Sequence, residues 1–83
     1  MYKIRLTSEA KSQLKKLKIS HKTAVGMVME ELSEDPYLGK PLGRGLLGRY
    51  TYRIGVYRII YKITEKDNYI TVLTVGHRSV VYN

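Results

Sequence analysis

A predicted β-hairpin in the second half of the chain constrains the fold more than any other feature. Residues 49–54 and 57–63 are rich in β-branched and aromatic side chains, and only Gly55-Val56 separates the two segments. A two-residue connection with glycine in the first position is typical of the type II′ turn, which joins antiparallel strands in a single register. We therefore predict a hairpin in which Arg53 lies directly opposite Arg58.

The same register divides the hairpin's side chains between two faces, because successive residues of a strand point to opposite sides of a sheet. One face carries four basic residues: Arg49, Arg53, Arg58 and Lys62. The other face carries only aromatic and aliphatic residues: Tyr50, Tyr52, Ile54, Tyr57, Ile59, Tyr61 and Ile63. We expect this second face to pack in the core, so that its tyrosines are packing residues rather than platforms for nucleobases.

The Arg53–Arg58 pair indicates a phosphate site. Like charges placed directly opposite each other destabilise a sheet by a few tenths to about 1 kcal/mol. A phosphate group between the two guanidinium groups would remove this repulsion, and arginine is suited to forked contacts with phosphate oxygens. The alternative is that each guanidinium group turns separately into water.

The N-terminal half predicts one strand followed by two helices. Residues 2–6 alternate apolar and polar side chains, as in a half-buried strand. Thr7-Ser8-Glu9 offers a hydroxyl cap and an acidic first turn to a helix, and Ala10, Leu14 and Leu17 then form one apolar stripe. We expect a short amphipathic helix here.

A second helix, capped by Ser20, should end at Asp35-Pro36, because proline disfavours helical geometry in the residue before it. Its apolar face comprises Ala24, Val25, Val28, Met29 and Leu32. Residues 35–48 contain both prolines and four of the seven glycines, so we predict an irregular connection there. A last strand, residues 69–75, follows a polar turn. The order β-α-α-β-β-β predicts an α+β fold, an antiparallel sheet with both helices packed on one face.

Length and charge limit the class of protein further. A chain of 83 residues has room for one domain. Its formal net charge of +8 is uneven: residues 1–39 carry seven Lys/Arg against five Asp/Glu, and residues 40–83 carry eight against two. Such a basic half favours a polyanionic partner such as nucleic acid.

We expect no catalytic metal and no other cofactor. The chain has no cysteine, its carboxylates are few, and His21 is far from His77 in sequence. The first residues lack the apolar core of a secretory signal, and no stretch has the roughly 20 apolar residues of a membrane span. We therefore expect a cytoplasmic protein that makes no membrane contact.

The last predicted strand leads into a group of polar residues near the C-terminus. It ends in Val75-Gly76-His77-Arg78, and Tyr82 follows. In an antiparallel meander this end returns beside the Gly55 turn, where Arg78 can join Arg53 and Arg58. Three convergent arginines would stabilise the negative charge that grows in a pentacoordinate phosphoryl transition state.

Two blocks of the second half carry a family resemblance. Residues 52–61, YRIGVYRIIY, and residues 75–82, VGHRSVVY, resemble the pattern of RelE-type toxins, members of the RelE/ParE superfamily of type II toxin–antitoxin systems. The opening, with Ile4, Ala10 and Leu14, is also similar, so the resemblance covers nearly the whole chain. It implies a small sheet flanked by two helices, mRNA cleavage in the ribosomal A site, and inhibition by a co-expressed antitoxin.

The resemblance also implies roles for individual residues. Arg58 and Arg78 correspond to arginines that stabilise the transition state, and Arg78 is also a proposed proton donor to the leaving 5′ oxygen. Tyr82 corresponds to a tyrosine that stacks on a base and orients the attacking 2′-hydroxyl. Arg53 falls near a lysine used for phosphate contact or proton abstraction.

The proton acceptor is left open. Thr51 stands where the resemblance predicts a second lysine, so His77 or Tyr82 is the candidate base. A structural or stacking role for His77 is an equal alternative. Further candidate phosphate ligands are Arg44, Arg49 and Lys62.

The sequence is compatible with three functions. The first is a ribosome-dependent mRNA endonuclease, favoured by the joint presence of Arg58, Arg78 and Tyr82. The second is a ParE-type inhibitor of DNA gyrase without nuclease chemistry, and the third is an inactive relic that only binds its antitoxin or RNA. For the first, the expected partners are an acidic RelB-like antitoxin, the ribosome and mRNA, with a toxin that is monomeric when alone.

Overall fold

The computed structural model describes residues 1–43 and 48–77. The elements are β1 (Lys3–Leu6), α1 (Ser8–Lys15), α2 (Ile19–Glu34), β2 (Lys40–Pro41), β3 (Arg49–Ile54), β4 (Tyr57–Thr64) and β5 (Tyr69–His77). Short 3-10 turns occupy Pro36–Leu38 and Glu65–Asp67. The predicted α+β class, with two N-terminal helices and a sheet, is confirmed.

The sheet has five strands in the order β1-β5-β4-β3-β2. Two of its features differ from the predicted simple meander. Strand β1 pairs in parallel with β5, and β2 is an additional two-residue edge strand within the segment predicted to be irregular. Both strands gain their place from partners distant in sequence, and local periodicity carries no information about such partners.

The register of the β3–β4 hairpin is confirmed at every predicted pair. Arg53 lies opposite Arg58 and Arg49 lies opposite Lys62. Gly55 has a positive φ of 58°, which the first position of a type II′ turn requires and which glycine adopts without strain. The turn therefore determines which side chains share a face.

The core lies between the two helices and the aromatic face of the sheet. Its fully or nearly buried members are Ala10, Val25, Val28, Leu32, Ile59, Tyr61, Ile70, Val72 and Val75. Seven partly buried members were among the predicted apolar residues: Leu14, Leu17, Met29, Tyr50, Tyr52, Ile54 and Ile63. The assignment of these hairpin tyrosines to packing is confirmed.

Residues of α1 and its N-cap supply hydrogen-bond partners to the part of β5 that extends beyond the pairing of β5 with β1. The Thr7 hydroxyl accepts from the Ala10 amide as the predicted N-cap and donates to the Leu73 carbonyl. The Val75 amide donates to Gln13 Oε1 at 2.7 Å, and the Thr74 hydroxyl donates to Glu9. Polar side chains of a helix thus replace the missing neighbour strand.

The predicted cap of the second helix was wrong. Helix α2 begins at Ile19, and its N-cap is Lys18, which makes no side-chain capping hydrogen bond. Ser20 is therefore already helical. The helix therefore starts two residues earlier than the capping preference alone indicates, directly after the short connection from α1. The predicted end at Asp35-Pro36 is confirmed.

The Tyr61 hydroxyl fastens the segment after α2 to the sheet. It donates to the Pro36 carbonyl at 2.7 Å and accepts from the Gly39 amide at 3.0 Å. Burial raises the pKa of Tyr61 to about 12, so this hydroxyl stays protonated as a donor. A Cβ atom on Gly39 would lie 2.5 Å from this hydroxyl oxygen, so a glycine is needed where the backbone approaches β4.

Replacing Tyr61 with phenylalanine should destabilise the protein by about 1–3 kcal/mol, because two backbone groups lose their common partner. Urea unfolding followed by circular dichroism would measure this. The matched control is Tyr50→Phe, on the same sheet face, since the Tyr50 hydroxyl makes no hydrogen bond within the described residues. Equal stability of the two variants would contradict the anchoring role of the Tyr61 hydroxyl.

Candidate phosphate-binding site

The face of the sheet opposite the helices is strongly basic. Pairing across β3 and β4 puts Arg49 with Lys62 and Arg53 with Arg58 on this face. The outer strands add further cations, since Arg5 of β1 lies opposite Thr71, which in turn lies opposite Lys62. The full set, here called the basic face, is Lys3, Arg5, Lys40, Arg49, Arg53, Arg58 and Lys62.

The acidic residues lie outside the strands that form the basic face. All seven lie in the described part of the chain, on helices or at turns: Glu9, Glu30, Glu31, Glu34, Asp35, Glu65 and Asp67. None of the described strands contains Asp or Glu, so the strands themselves contribute only positive charge to this face. Such a surface attracts a polyanion and holds it most strongly at low salt.

A cavity of about 350 Å³ opens on this face around Arg58. Its lining residues are Leu38, Gly39, Lys40, Thr51, Tyr52, Arg53 and Arg58. Thr51 is only 6% exposed, and Arg58 Nη1 lies 3.5 Å from its hydroxyl oxygen, a long donor–acceptor contact. On the other side of Arg58 its pairing partner is Gly76, which has no side chain to fill the space.

The predicted site residues fall into separate groups. Arg53 and Arg58 meet in the cavity, as predicted. The Arg49–Lys62 pair lies four residues farther along the strands, about 13 Å away at the usual rise per residue. It therefore extends the basic face beyond the cavity, and a single phosphate cannot touch both pairs.

His77 lies on the other side of the sheet from Arg53 and Arg58. It pairs with Tyr57, whose side chain points toward the helices, and the two ring centroids are 6.0 Å apart. The ring of His21 on α2 packs against the same tyrosine at 4.7 Å. The two histidines, far apart in sequence, thus flank one aromatic ring.

The remaining predicted residues, Arg44, Arg78 and Tyr82, lie outside the described residues. Within residues 1–43 and 48–77, no three His, Cys, Asp or Glu side chains are grouped so that they could hold a metal ion. In the same part of the chain, no helix is long and apolar enough to cross a membrane.

Sequence reasoning missed three cations of this surface: Lys3, Arg5 and Lys40. Lys40 joins the cavity through β2, and Arg5 joins the basic face through β1. Arg5 is held by a cation–π contact, with its guanidinium carbon 4.1 Å from the centroid of the Tyr69 ring. Alternation in residues 2–6 already assigns Arg5 to the polar face of its strand, but only the pairing with β5 connects that face with the hairpin.

The fold and the site together define a small α+β domain that presents one basic sheet face for an anionic ligand. The family model described as "ParE toxin of type II toxin-antitoxin system, parDE" matches residues 4–82. The chain therefore belongs to the RelE/ParE superfamily of toxins from type II toxin–antitoxin systems, which confirms the resemblance read from residues 52–61 and 75–82.

Similar proteins carry RelE-type names. The chain is 36% identical to Toxin RelG of Mycobacterium tuberculosis over 98% of this chain and 95% of that protein. It is 31% identical to Toxin RelE of the same organism, over 98% and 86% of the two chains. A chain of the crystal structure of the RelBE2 toxin–antitoxin complex from M. tuberculosis has a TM-score of 0.84 and 37% identity, covering 93% of this chain and 98% of that one.

The fold is also shared with a more distant protein. The isolated E. coli RelE toxin superposes with a TM-score of 0.83 at 23% identity, covering 99% of this chain and 92% of that one. At this level of identity the likeness concerns the fold alone.

Replacing Arg53 with glutamine should stabilise the free protein by a few tenths to about 1 kcal/mol, because it removes the like-charge pair with Arg58. Thermal unfolding at low ionic strength would measure this. Phosphate should raise the melting temperature of the wild type more than that of the variant. The control Lys66→Gln removes the same charge from the turn at the far end of β4. A variant less stable than the wild type at low salt would contradict the repulsion.

Proposed function

We propose that this toxin inhibits translation as a ribosome-dependent mRNA endonuclease. The observation that carries the proposal is the Arg53–Arg58 pair, which lines an open cavity whose lining, among the described residues, contains no carboxylate. The 36% identity to Toxin RelG over nearly the whole chain adds support. The proposal extends the superfamily assignment from toxin in general to a defined chemistry.

The proposed reaction is an intramolecular displacement within the RNA strand. The 2′-hydroxyl oxygen forms a bond to the adjacent phosphorus, and the bond from phosphorus to the 5′ oxygen breaks. The products are a 2′,3′-cyclic phosphate and a 5′-hydroxyl end. The 2′-hydroxyl proton leaves to a base, and a second proton is supplied to the departing 5′ oxygen, so that atoms and charge balance.

The predicted site residues have distinct roles in this proposal. Arg58, which is partly buried beside Thr51, and Arg53 bind the nonbridging phosphate oxygens and stabilise their growing charge. Arg78 donates the proton to the leaving oxygen. Tyr82 stacks on a base and, among the two predicted acceptors, is the one we favour, because His77 packs against Tyr57 on the opposite side of the sheet.

The ribosome has a positioning role. A site with arginines but without a lysine at Thr51 has limited capacity to remove a proton. The ribosome can hold mRNA in the A site with the 2′-hydroxyl in line with the scissile bond. Such orientation can supply much of the acceleration, because it lowers the activation barrier by on the order of 7–11 kcal/mol at best. The enzyme would therefore act on programmed ribosomes and scarcely on free RNA.

We further propose that an acidic RelB-like antitoxin covers the basic face and so blocks the cavity. The support is the charge of this face and the relative from M. tuberculosis, which was crystallised as a toxin–antitoxin complex. In this proposal the toxin is cytoplasmic, and it is monomeric when the antitoxin is absent.

Inhibition of DNA gyrase is the second candidate. It is favoured by the family model that matches residues 4–82, whose description names ParE, and by the threonine at position 51. In that case the basic face would bind a protein–DNA complex without nuclease chemistry. Inhibited supercoiling in a purified gyrase assay and a DNA damage response on expression would identify this function.

Primer extension on mRNA from a reconstituted translation reaction should show cuts that require both the toxin and ribosomes. Arg58→Ala and Arg78→Ala should each reduce the cleavage rate by about a hundredfold or more, in line with the loss of a group that stabilises transition-state charge. Lys66→Ala, which removes a positive charge at the opposite end of β4, should cut like the wild type. If the wild type and all variants leave the mRNA intact and the wild type inhibits gyrase, the second candidate replaces the nuclease proposal. Unimpaired growth on expression would indicate an inactive relic.

An mRNA with a 2′-deoxy nucleotide at the cleaved position should resist the toxin, because the attacking group is missing. The same mRNA should still be cut at other, unmodified positions, which serve as the internal control. End-group analysis of the products should find a cyclic phosphate. Cleavage at the deoxy position would disprove attack by the 2′-hydroxyl.

A further inference from the structure

The edge strand β2 brings a lysine into the cavity. Lys40 pairs directly with Thr51, and residues directly opposite each other in an antiparallel pair project from the same face. Lys40 accordingly lines the cavity together with Arg53 and Arg58. The cavity thus has three cationic side chains from three adjacent strands, and among the described residues its lining contains no carboxylate.

The position of Lys40 is maintained by specific contacts on both sides of it. The Gly39 amide donates to the Tyr61 hydroxyl, and the Leu42 amide donates to the Arg49 carbonyl at 2.8 Å. A Cβ atom on Gly39 would approach the Thr51 carbonyl oxygen to 2.7 Å, so the glycine permits β2 to lie this close to β3. These contacts connect the backbone of Lys40 to the buried core through Tyr61.

We propose that Lys40 is a phosphate ligand that acts together with Arg53 and Arg58. Its ammonium group donates to a nonbridging oxygen of the phosphate that the arginines hold, from the β2 side of the cavity. A compact ammonium and two planar guanidinium groups can contact different oxygens of one tetrahedral phosphate. That the phosphate belongs to RNA rests on the proposed function; that the three cations bind phosphate does not.

A structural explanation of this lysine gives a different expectation. Lysine on an exposed edge strand hinders pairing with other chains, and Pro41 beside it has the same effect. If that were its whole role, its loss would promote association of the protein and leave the affinity of the monomer for phosphate unchanged.

The test is a titration of the full chain with inorganic phosphate, followed through the backbone amide resonances of Thr51 and Arg58. Lys40→Gln should weaken phosphate binding about tenfold, which corresponds to about 1.4 kcal/mol. Lys40→Arg, which retains the charge, should stay within about twofold of the wild type. Lys66→Gln is the matched control and should not change the affinity.

Unchanged phosphate affinity of Lys40→Gln would overturn the proposal, as would a wild type in which phosphate leaves both resonances in place. Association of Lys40→Gln without a change in affinity would assign the residue to edge protection instead. The cleavage assay separates this inference from the proposed function. Phosphate binding that depends on Lys40, in a protein that cuts no mRNA, would support the ligand and refute the nuclease.

Discussion

The pairing register of β3 and β4 is the constraint on which the rest of the structure depends. The two-residue turn at Gly55-Val56 places Arg53 opposite Arg58, and a shift of one strand by one residue would put the two arginines on opposite faces, one of them toward the core. With this register, all the aromatic residues of the hairpin face the helices and all its cations face the other way. Folding therefore concentrates positive charge on one face of the sheet, and an anionic ligand can offset the resulting repulsion.

The basic face depends on the core through a small number of buried polar contacts. The Tyr61 ring packs under the helices, while its hydroxyl holds the Pro36 carbonyl and the Gly39 amide. This single side chain therefore ties the segment that carries Lys40 to β4. A similar arrangement exists at the other edge, where Gln13 and Thr7 of the α1 region complete the hydrogen bonding of β5. The strands of the basic face are thus held at both sides of the sheet by hydrogen bonds from residues on its helical side.

The part of the site that could be predicted from sequence is the part formed by neighbouring residues. Arg53 and Arg58 are five residues apart and a tight turn joins their strands, so local chemistry suffices to bring them together. Lys40 is eleven residues before its partner Thr51, and the connection offers no periodicity. His77 was predicted to be either a base or a stacking residue, and alternation along β5 turns its ring to Tyr57 and the helices. A residue can therefore reach the right end of the sheet and still lie on the wrong face.

The amino-acid sequence by itself determined the element order, the hairpin register, the separation of aromatic from basic side chains, and the superfamily. These follow from spacing, turn chemistry and short motifs, all of which act over a few residues. Only the tertiary structure decided that β1 lies parallel to β5, that β2 exists, and that Arg5 and Lys40 extend the basic face. The physical reason is that edge strands are selected by hydrogen-bonding partners far away in the chain, whereas spacing and turn chemistry act over only a few residues.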